Sequence, residues 1–311
     1  MKEKIYTIKN LCDELNQPRQ KVRRRSLYVK KIERSGLFMK ENLHLFQCPV
    51  CKQNFTDVVG TSVVCVENHQ FDLSKKGTLH LLLKGGQNEY DKKMLSSRKK
   101  LAETGFFQPM LDVVKKQLEG RNITALLDVG CGEGSHLHYL QNQGVSGTKI
   151  GFDISKDAIQ LAASHYFDDA FWCVADLAHS PFAGEHFDAI LNILSPSHYE
   201  EFGRLLKKGG VVVKVVPDAD YLIELRQKLF MLEEEKQSYE NEPVIKRFEQ
   251  AYPNYLHEHV RYEVSLTAEV YRWLLEMTPL TWGADEGKRL ELLAEPLPSI
   301  TVAMSVLVGI K

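Results

Sequence analysis

Between residues 125 and 216, short apolar runs rich in β-formers recur, each followed by a stretch whose hydrophobic positions have helical spacing. The runs are Ala125 to Val129, Lys149 to Asp153, Phe171 to Ala175, Phe187 to Leu194 and Val211 to Val216. They lack the alternation of a half-exposed strand, so the pattern predicts a parallel sheet covered by helices on both faces. Further on, the chain predicts a long helix from Ala219 to about Tyr239. Two closing strands follow, His257 to Leu266 and Ile300 to Ile310, with a helix at Ala268 to Glu276 between them. Two helices are expected earlier, Asp91 to Ala102 and Ser135 to Gln143; Gly105-Phe106-Phe107-Gln108-Pro109 breaks the first.

Four regions separate: 1–46, basic; 47–83, rich in Cys and His; 84–122, a Lys84-Gly85-Gly86 linker and a helical segment; and 123–311, the α/β unit. Residues 1–46 carry 12 basic and 5 acidic side chains, although the whole chain has a net charge of −1. The run Arg23-Arg24-Arg25, followed by Lys30-Lys31, reads as a solvated arm with a short helix after Thr7. It is expected to be either a dispensable extension or an RNA-binding arm. Met39-Lys40-Glu41 repeats Met1-Lys2-Glu3, which makes Met39 a candidate ancestral start. No apolar run approaches the roughly 18 to 20 residues of a membrane span, and the most apolar, around Val211 to Val216, is interrupted by Lys214. The amino terminus lacks the apolar core of a secretory signal, so a cytoplasmic address is expected.

Six cysteines are too few for a disulfide framework in a chain of 311 residues. Cys48-Pro49-Val50-Cys51, then Cys65, then His69, has the spacing of a closed tetrahedral zinc site. Two thiolates sit on one tight turn and the second pair comes from a matching turn, joined by a hairpin containing Val63 and Val64. A closed site leaves no position for water or substrate, so the zinc is expected to be structural. The alternative is three buried free cysteines beside an incidental histidine.

The run Asp128-Val129-Gly130-Cys131-Gly132-Glu133-Gly134 joins a strand to a helix. Glycines there permit a sharp turn and close approach of a ligand. The third glycine arrives one position too early for a pyrophosphate loop, and Asp128 would repel pyrophosphate. A donor with positive ammonium and sulfonium groups suits that acid, which points to S-adenosylmethionine. Asp153 ends the next strand, where a carboxylate commonly accepts ribose hydroxyls, and Asp176 follows the third, placed for the adenine amino group. Taken singly, each acid could be a turn or helix cap.

Cys48-x-x-Cys51, Cys65, His69-Gln70-Phe71-Asp72, the Gly105 to Pro109 stretch, the Asp128 to Gly134 loop, Asp188-Ala189-Ile190 and Met277-Thr278-Pro279 followed by Trp282 together resemble the bacterial 23S rRNA guanine-N1 methyltransferases. That family acts on hairpin 35. The resemblance runs from about Phe46 to Lys311. It implies a Rossmann-like class I methyltransferase domain with a mostly parallel seven-stranded sheet and a small zinc-ribbon domain ahead of it. It also implies S-adenosylmethionine as donor and a homodimer whose cleft receives the 23S rRNA hairpin. The family's cofactor contacts fall on Phe107, Gly132, Glu133, Asp153 and Tyr221. Phe107 stands where the family also carries tyrosine, and Tyr221 where some members have histidine. Members divide between two neighbouring guanines, and one of these modifications is linked to macrolide resistance.

Guanine N1 carries a proton that must leave, so a base or a solvent route is expected. Asn192 and His198 follow the fourth strand, where base-methylating enzymes build a target pocket, but neither is assigned as the base and no catalytic residue is named. Phosphate neutralisation is expected from Lys75, Lys76, Lys84, Lys92, Lys93, Arg98, Lys99 and Lys100. Phe55, Phe71 and Trp282 are candidates for base stacking or for core packing. Two other readings stand beside this one: a small-molecule methyltransferase, and a zinc-containing RNA binder without activity.

Overall fold

The computed structural model describes the backbone of residues 4–6 and, in full, residues 29–83, 91–230 and 240–311. In chain order the elements begin with β1 (Lys4–Tyr6), α1 (Lys31–Asn42), β2 (Phe55–Val59), β3 (Ser62–Cys65), β4 (Gln70–Asp72), β5 (Leu79–His80), α2 (Lys92–Glu103) and α3 (Gln108–Leu118). The α/β unit follows: β6 (Ala125–Val129), α4 (Ser135–Asn142), β7 (Thr148–Asp153), α5 (Lys156–His165), β8 (Phe171–Val174), β9 (Phe187–Ile193), α6 (Tyr199–Leu205) and β10 (Leu206–Pro217). The chain closes with α7 (Ile223–Leu229), α8 (Glu242–Ala251), β11 (Leu256–Ser265), α9 (Ala268–Met277), α10 (Glu286–Ala294) and β12 (Ser299–Ile310).

All five apolar runs became strands of one parallel array, and every residue of β6 and β8 is buried, as strands covered on both faces require. The sheet order is β1-β11-β12-β10-β9-β6-β7-β8-β5, with β12 antiparallel to both neighbours. Within it lie the seven expected strands, β8 through β11. The expected count is corrected to nine by one added strand at each edge. From the Cys/His region, β5 reaches across to pair with β8 through Leu79 opposite Cys173 and His80 opposite Val174. At the other edge β1 runs parallel to β11. Edge strands expose unpaired backbone groups, and even a two-residue cover satisfies some of them while being too short to show any periodicity.

Two further expectations are corrected. The helix expected from Ala219 to Tyr239 begins only at Ile223. Asp218 to Tyr221 form a turn instead, closed by Tyr221 N–H donating to Asp218 O at 2.9 Å. The Asp218 carboxylate is drawn away to Asn241, His259 and Ser305, so it does not cap a helix. Residues 231–239 lie outside the described part. The basic stretch before residue 46 is likewise no solvated arm over its second part. There α1 buries Ser35, Gly36 and Met39, and Phe38 stacks on Phe171 of β8 with ring centroids 4.6 Å apart. Met39 is fully buried in mid-helix, so residues 31–46 belong to the fold rather than precede it. The arginine run and the helix expected after Thr7 lie outside the described residues.

A shared core joins the two regions. Met39, Phe46, Phe55, Val63 and Leu73 pack in one cluster with Phe152, Phe171, Phe182 and Ile190 of the α/β unit. On the opposite sheet face, Trp172 fills the space under the glycine loop. Gly134 has a φ of +88°, and a Cβ on it would stand 2.7 Å from Trp172 Cη2. Left-handed backbone plus overpacking predicts that Gly134→Ala lowers stability by about 2–4 kcal/mol. Urea titration should show a lower midpoint at unchanged slope; an unchanged midpoint rules out this account of the loop.

Candidate active site and metal centre

The zinc spacing is realised as a compact cluster. The ligand atoms of Cys48, Cys51, Cys65 and His69 all lie within 4.8 Å of one another. Cys51 Sγ is 3.7 Å from Cys65 Sγ, and His69 Nδ1 is 3.4 Å from Cys65 Sγ and 3.7 Å from Cys48 Sγ. A tetrahedron with Zn–S bonds near 2.3 Å and Zn–N near 2.0 Å has edges of about 3.5–3.8 Å, so the residues present fit zinc. Two turns hold them: Lys52 N–H donates to Cys48 O and Asn68 N–H to Cys65 O, both at 2.9 Å. Lys52 and Asn68 each take positive φ, the sharp geometry that brings two ligands onto one turn. Burial pushes the Cys48 thiol up to about 11, and a divalent cation is what would keep such a sulfur ionised. Phe55 and Phe71 meet edge to face at 5.8 Å inside this region, which uses them as core.

At the C-terminal edge of the parallel strands, the glycine loop opens on a cavity of about 240 Å³. Gly130, Gly132, Asp153, Ile154, Asp176, Leu177 and Leu194 are among its walls. Asp153 Oδ2 accepts from Gly132 N–H at 2.9 Å, and Oδ1 accepts from Ser155 N–H at 2.8 Å. This one carboxylate therefore sets the loop's position relative to the end of β7. A Cβ on Gly130 would run into Ser195, whereas a Cβ on Gly132 would meet nothing within 4 Å, leaving open space for a ligand. Asp176 lines the cavity while also capping a short turn, accepting from Ala178 N–H at 3.0 Å.

Two acids lie deeper than expected. Asp128 is 2% exposed and not in the cavity wall; burial, reinforced by the Asp153 charge, lifts its carboxyl to about 7. Glu133 is equally buried and stands 3.4 Å from Arg98. Arg98 itself corrects an expectation. It turns inward from α2 and lines both this cavity and the next, so it is not a free phosphate contact. Arg98 Nε, in the wall of both cavities, has no hydrogen-bond partner among the described residues, the setting a ligand carboxylate would complete; Asp128 Oδ2 has none either, but it lies behind the wall. Burial, with Arg98 nearby, lowers His136 to about 3, so it packs edge-on against Phe107 as a neutral ring.

A second cavity, of about 550 Å³, shares Met94, Arg98, Leu194, Ser195 and Pro196 with the first. Phe107, Tyr199, Lys214, Tyr221, Arg247 and Thr278 line it. Phe107 and Tyr221 thus sit at the far side of the junction from Asp153 and Asp176. Met277-Thr278-Pro279, part of the motif near the end of the chain, forms one wall. Asn192 is fully buried and accepts from Lys214 Nζ at 2.7 Å, whereas His198 caps α6, its Nδ1 accepting from Glu201 N–H at 3.2 Å. Sequence reasoning missed Lys214 as a site residue, although a lone lysine inside Val211–Val216 was a usable signal.

The remaining basic candidates scatter. Lys92 pairs with Asp157, Lys93 with Glu276 and Lys99 with Glu103, while Lys100 stands over the Trp273 ring. Lys75 and Lys76 are exposed, and Lys84 lies outside the described residues. Trp282 is 38% exposed and lines a groove with Lys93, Arg272 and Arg289. No helix among the described residues is long and apolar enough to cross a membrane.

Two family models match the chain: a methyltransferase domain over residues 121–276, and the RlmA N-terminal zinc ribbon over residues 46–83. YxjB of Bacillus subtilis, a chain named for 23S rRNA (guanine-N(1)-)-methyltransferase activity, is 40% identical over 86% of this chain and 97% of its own length. The 23S rRNA (guanine(748)-N(1))-methyltransferase of Streptomyces fradiae is 26% identical over 86% of this chain and 97% of its own. With a cluster of three cysteines and a histidine, a glycine loop and the strand-end acids where those models place a zinc ribbon and a methyltransferase domain, the chain belongs to the 23S rRNA guanine-N1 methyltransferase family.

Proposed function

We propose that this enzyme transfers the methyl group of S-adenosylmethionine to N1 of a guanine in hairpin 35 of 23S rRNA. The observation that carries the reading is the pair of cavities joined at Leu194, Ser195 and Pro196. One is lined by strand-end acids and the other by aromatic rings. In the first, Asp153 takes the ribose hydroxyls and Asp176 the adenine amino group, while Gly130 and Gly132 let the donor lie against the backbone. Arg98, held by Glu133, faces the donor's carboxylate, and Phe107 and Tyr221 flank the methionine end. Asp128 lies beneath the wall, close enough for its carboxyl to feel the Asp153 charge. An extruded guanine enters the second cavity against Tyr199 and Tyr221. Much of the rate enhancement then comes from aligning N1, methyl carbon and sulfur. The zinc ribbon is structural, and the reading includes a homodimer working in the cytoplasm where ribosomal RNA is made.

Reverse transcription of 23S rRNA treated with the enzyme and donor should stop at one guanine, because a methyl group on N1 blocks Watson–Crick pairing. Donor-bound enzyme that leaves no stop, or a methyl group found on another atom, counts against the proposal.

A further inference from the structure

Resting on that reading, we propose that Lys214 is the base that takes the N1 proton of the target guanine. Lys214 sits in the middle of β10, opposite Asn192 of β9 and Leu307 of β12. Every other member of the run Val211–Val216 is apolar and buried, and Lys214 is itself only 2% exposed. An ammonium buried there needs a counter-charge, yet no carboxylate pairs with it among the described residues. Its Nζ donates instead to Asn192 Oδ1 at 2.7 Å and to Ser195 O at 3.3 Å. A neutral amine has two N–H donors and one lone pair. Both donors are matched here, and the residue lines the second cavity, so the lone pair is what it has left to offer there.

Burial lowers the Lys214 ammonium to about 8, so the neutral form is accessible near physiological pH. The titratable or charged groups lining the same cavity are Arg98 of α2, Tyr199 of α6, Tyr221 after β10 and Arg247 of α8. None of these can accept a proton there. The arginines stay charged, burial pushes Tyr221 up to about 12, and burial likewise raises Tyr199. Asn192 is an amide with every polar atom engaged. Its Oδ1 accepts from Lys214 and Ser197, and its Nδ2 donates to Ser195 Oγ and Pro196 O. Ser195 Oγ in turn donates to Val129 O at 2.7 Å, which ties this network to the strand that carries the glycine loop. Asn192 is therefore a positioning residue for Lys214.

The step balances without a further reactant. The N1 proton moves to Nζ, making an ammonium. The N1 electron pair forms a bond to the methyl carbon, and the C–S bonding pair goes to sulfur, leaving neutral S-adenosylhomocysteine. The ammonium, lacking a buried carboxylate, returns its proton to solvent when product leaves.

The test measures kcat/KM for methylation of a 23S rRNA hairpin between about pH 6 and pH 9.5, for wild type, Lys214→Arg and Lys214→Met. The wild-type value should rise about tenfold per pH unit and level off near pH 8. At pH 8 both variants should lose about 10²–10⁴-fold and the pH limb with it. Calorimetric affinity for S-adenosylhomocysteine should stay unchanged. Arginine keeps the charge and the donors but does not release a proton in this range, so it separates a base from an electrostatic or structural role. A Lys214→Arg enzyme with wild-type rate, or one that keeps the limb, overturns the proposal. Should the variants fail to fold, a flat wild-type profile is sufficient to overturn it. Wild type that binds the donor but methylates no guanine at any pH shows instead that the underlying functional reading is wrong.

Discussion

Removing zinc with a strong chelator should unfold residues 46–83 and destabilise the α/β unit with them. Four ligands in a tetrahedral cluster contribute on the order of 10 kcal/mol to a small ribbon, comparable to the whole stability of an ordinary domain. The ribbon has little else: its three-stranded sheet is β2-β3-β4, and its inner residues are Phe55, Val58, Val63 and Leu73 around the cysteines. Because those residues pack in the same cluster as Phe152, Phe171 and Phe182, metal loss uncovers apolar surface of the larger unit. It also releases β5 from the edge of β8. Metal analysis should find about one zinc per chain, and chelation should add binding of a hydrophobic dye and lower Tm markedly. Cys48→Ser and Cys65→Ser should do the same without chelator. Fully metal-free protein with an unchanged Tm would falsify the structural role of the site.

Replacing Asp153 by alanine should abolish measurable donor binding while leaving most of the fold intact. Its two oxygens hold Gly132 N–H and Ser155 N–H, and each oxygen has a further lone pair available to a ribose hydroxyl. Hydrogen bonds to a charged group contribute about 1.5–3 kcal/mol each. Losing two to the ligand, together with the anchor of the loop, predicts a fall in affinity for S-adenosylhomocysteine of about 10²–10⁴-fold. Asp153→Asn keeps one acceptor and should fall in between. Burial raises the Asp153 pKa against the two backbone donors, so the ionised form it needs is lost as pH falls through that raised value. Donor affinity should therefore weaken on acidification. Calorimetry on the three proteins checks both points; an alanine variant that binds like wild type removes Asp153 from the ribose site.

Some of this was readable from residues alone because it depends on local spacing. Buried parallel strands announce themselves as uninterrupted apolar runs, so β6 through β10 were placed within a few residues. Cys48, Cys51, Cys65 and His69 lie on two short turns, and Gly130, Gly132 and Gly134 on a third, where a few residues of backbone set the geometry. Contacts between distant segments were not legible in that way. Arg98 belongs to a helix that reads as basic and solvated, and only its packing beside Glu133 turns it into the cavity. Residues 31–42 look like part of a charged tail until Phe171 is set against Phe38. The β5 strand is two residues long and exists because β8 has an open edge.

The chain's own order of residues thus determined the class of fold, the metal ligands and the loop that receives the donor, since each follows from steric and hydrogen-bonding rules acting over a few positions. Tertiary structure alone decided which acids face the cavity and which lie beneath it, and it alone set Lys214 beside Asn192. Burial and the local electric field are properties of everything that packs around a group, and no stretch of sequence contains them.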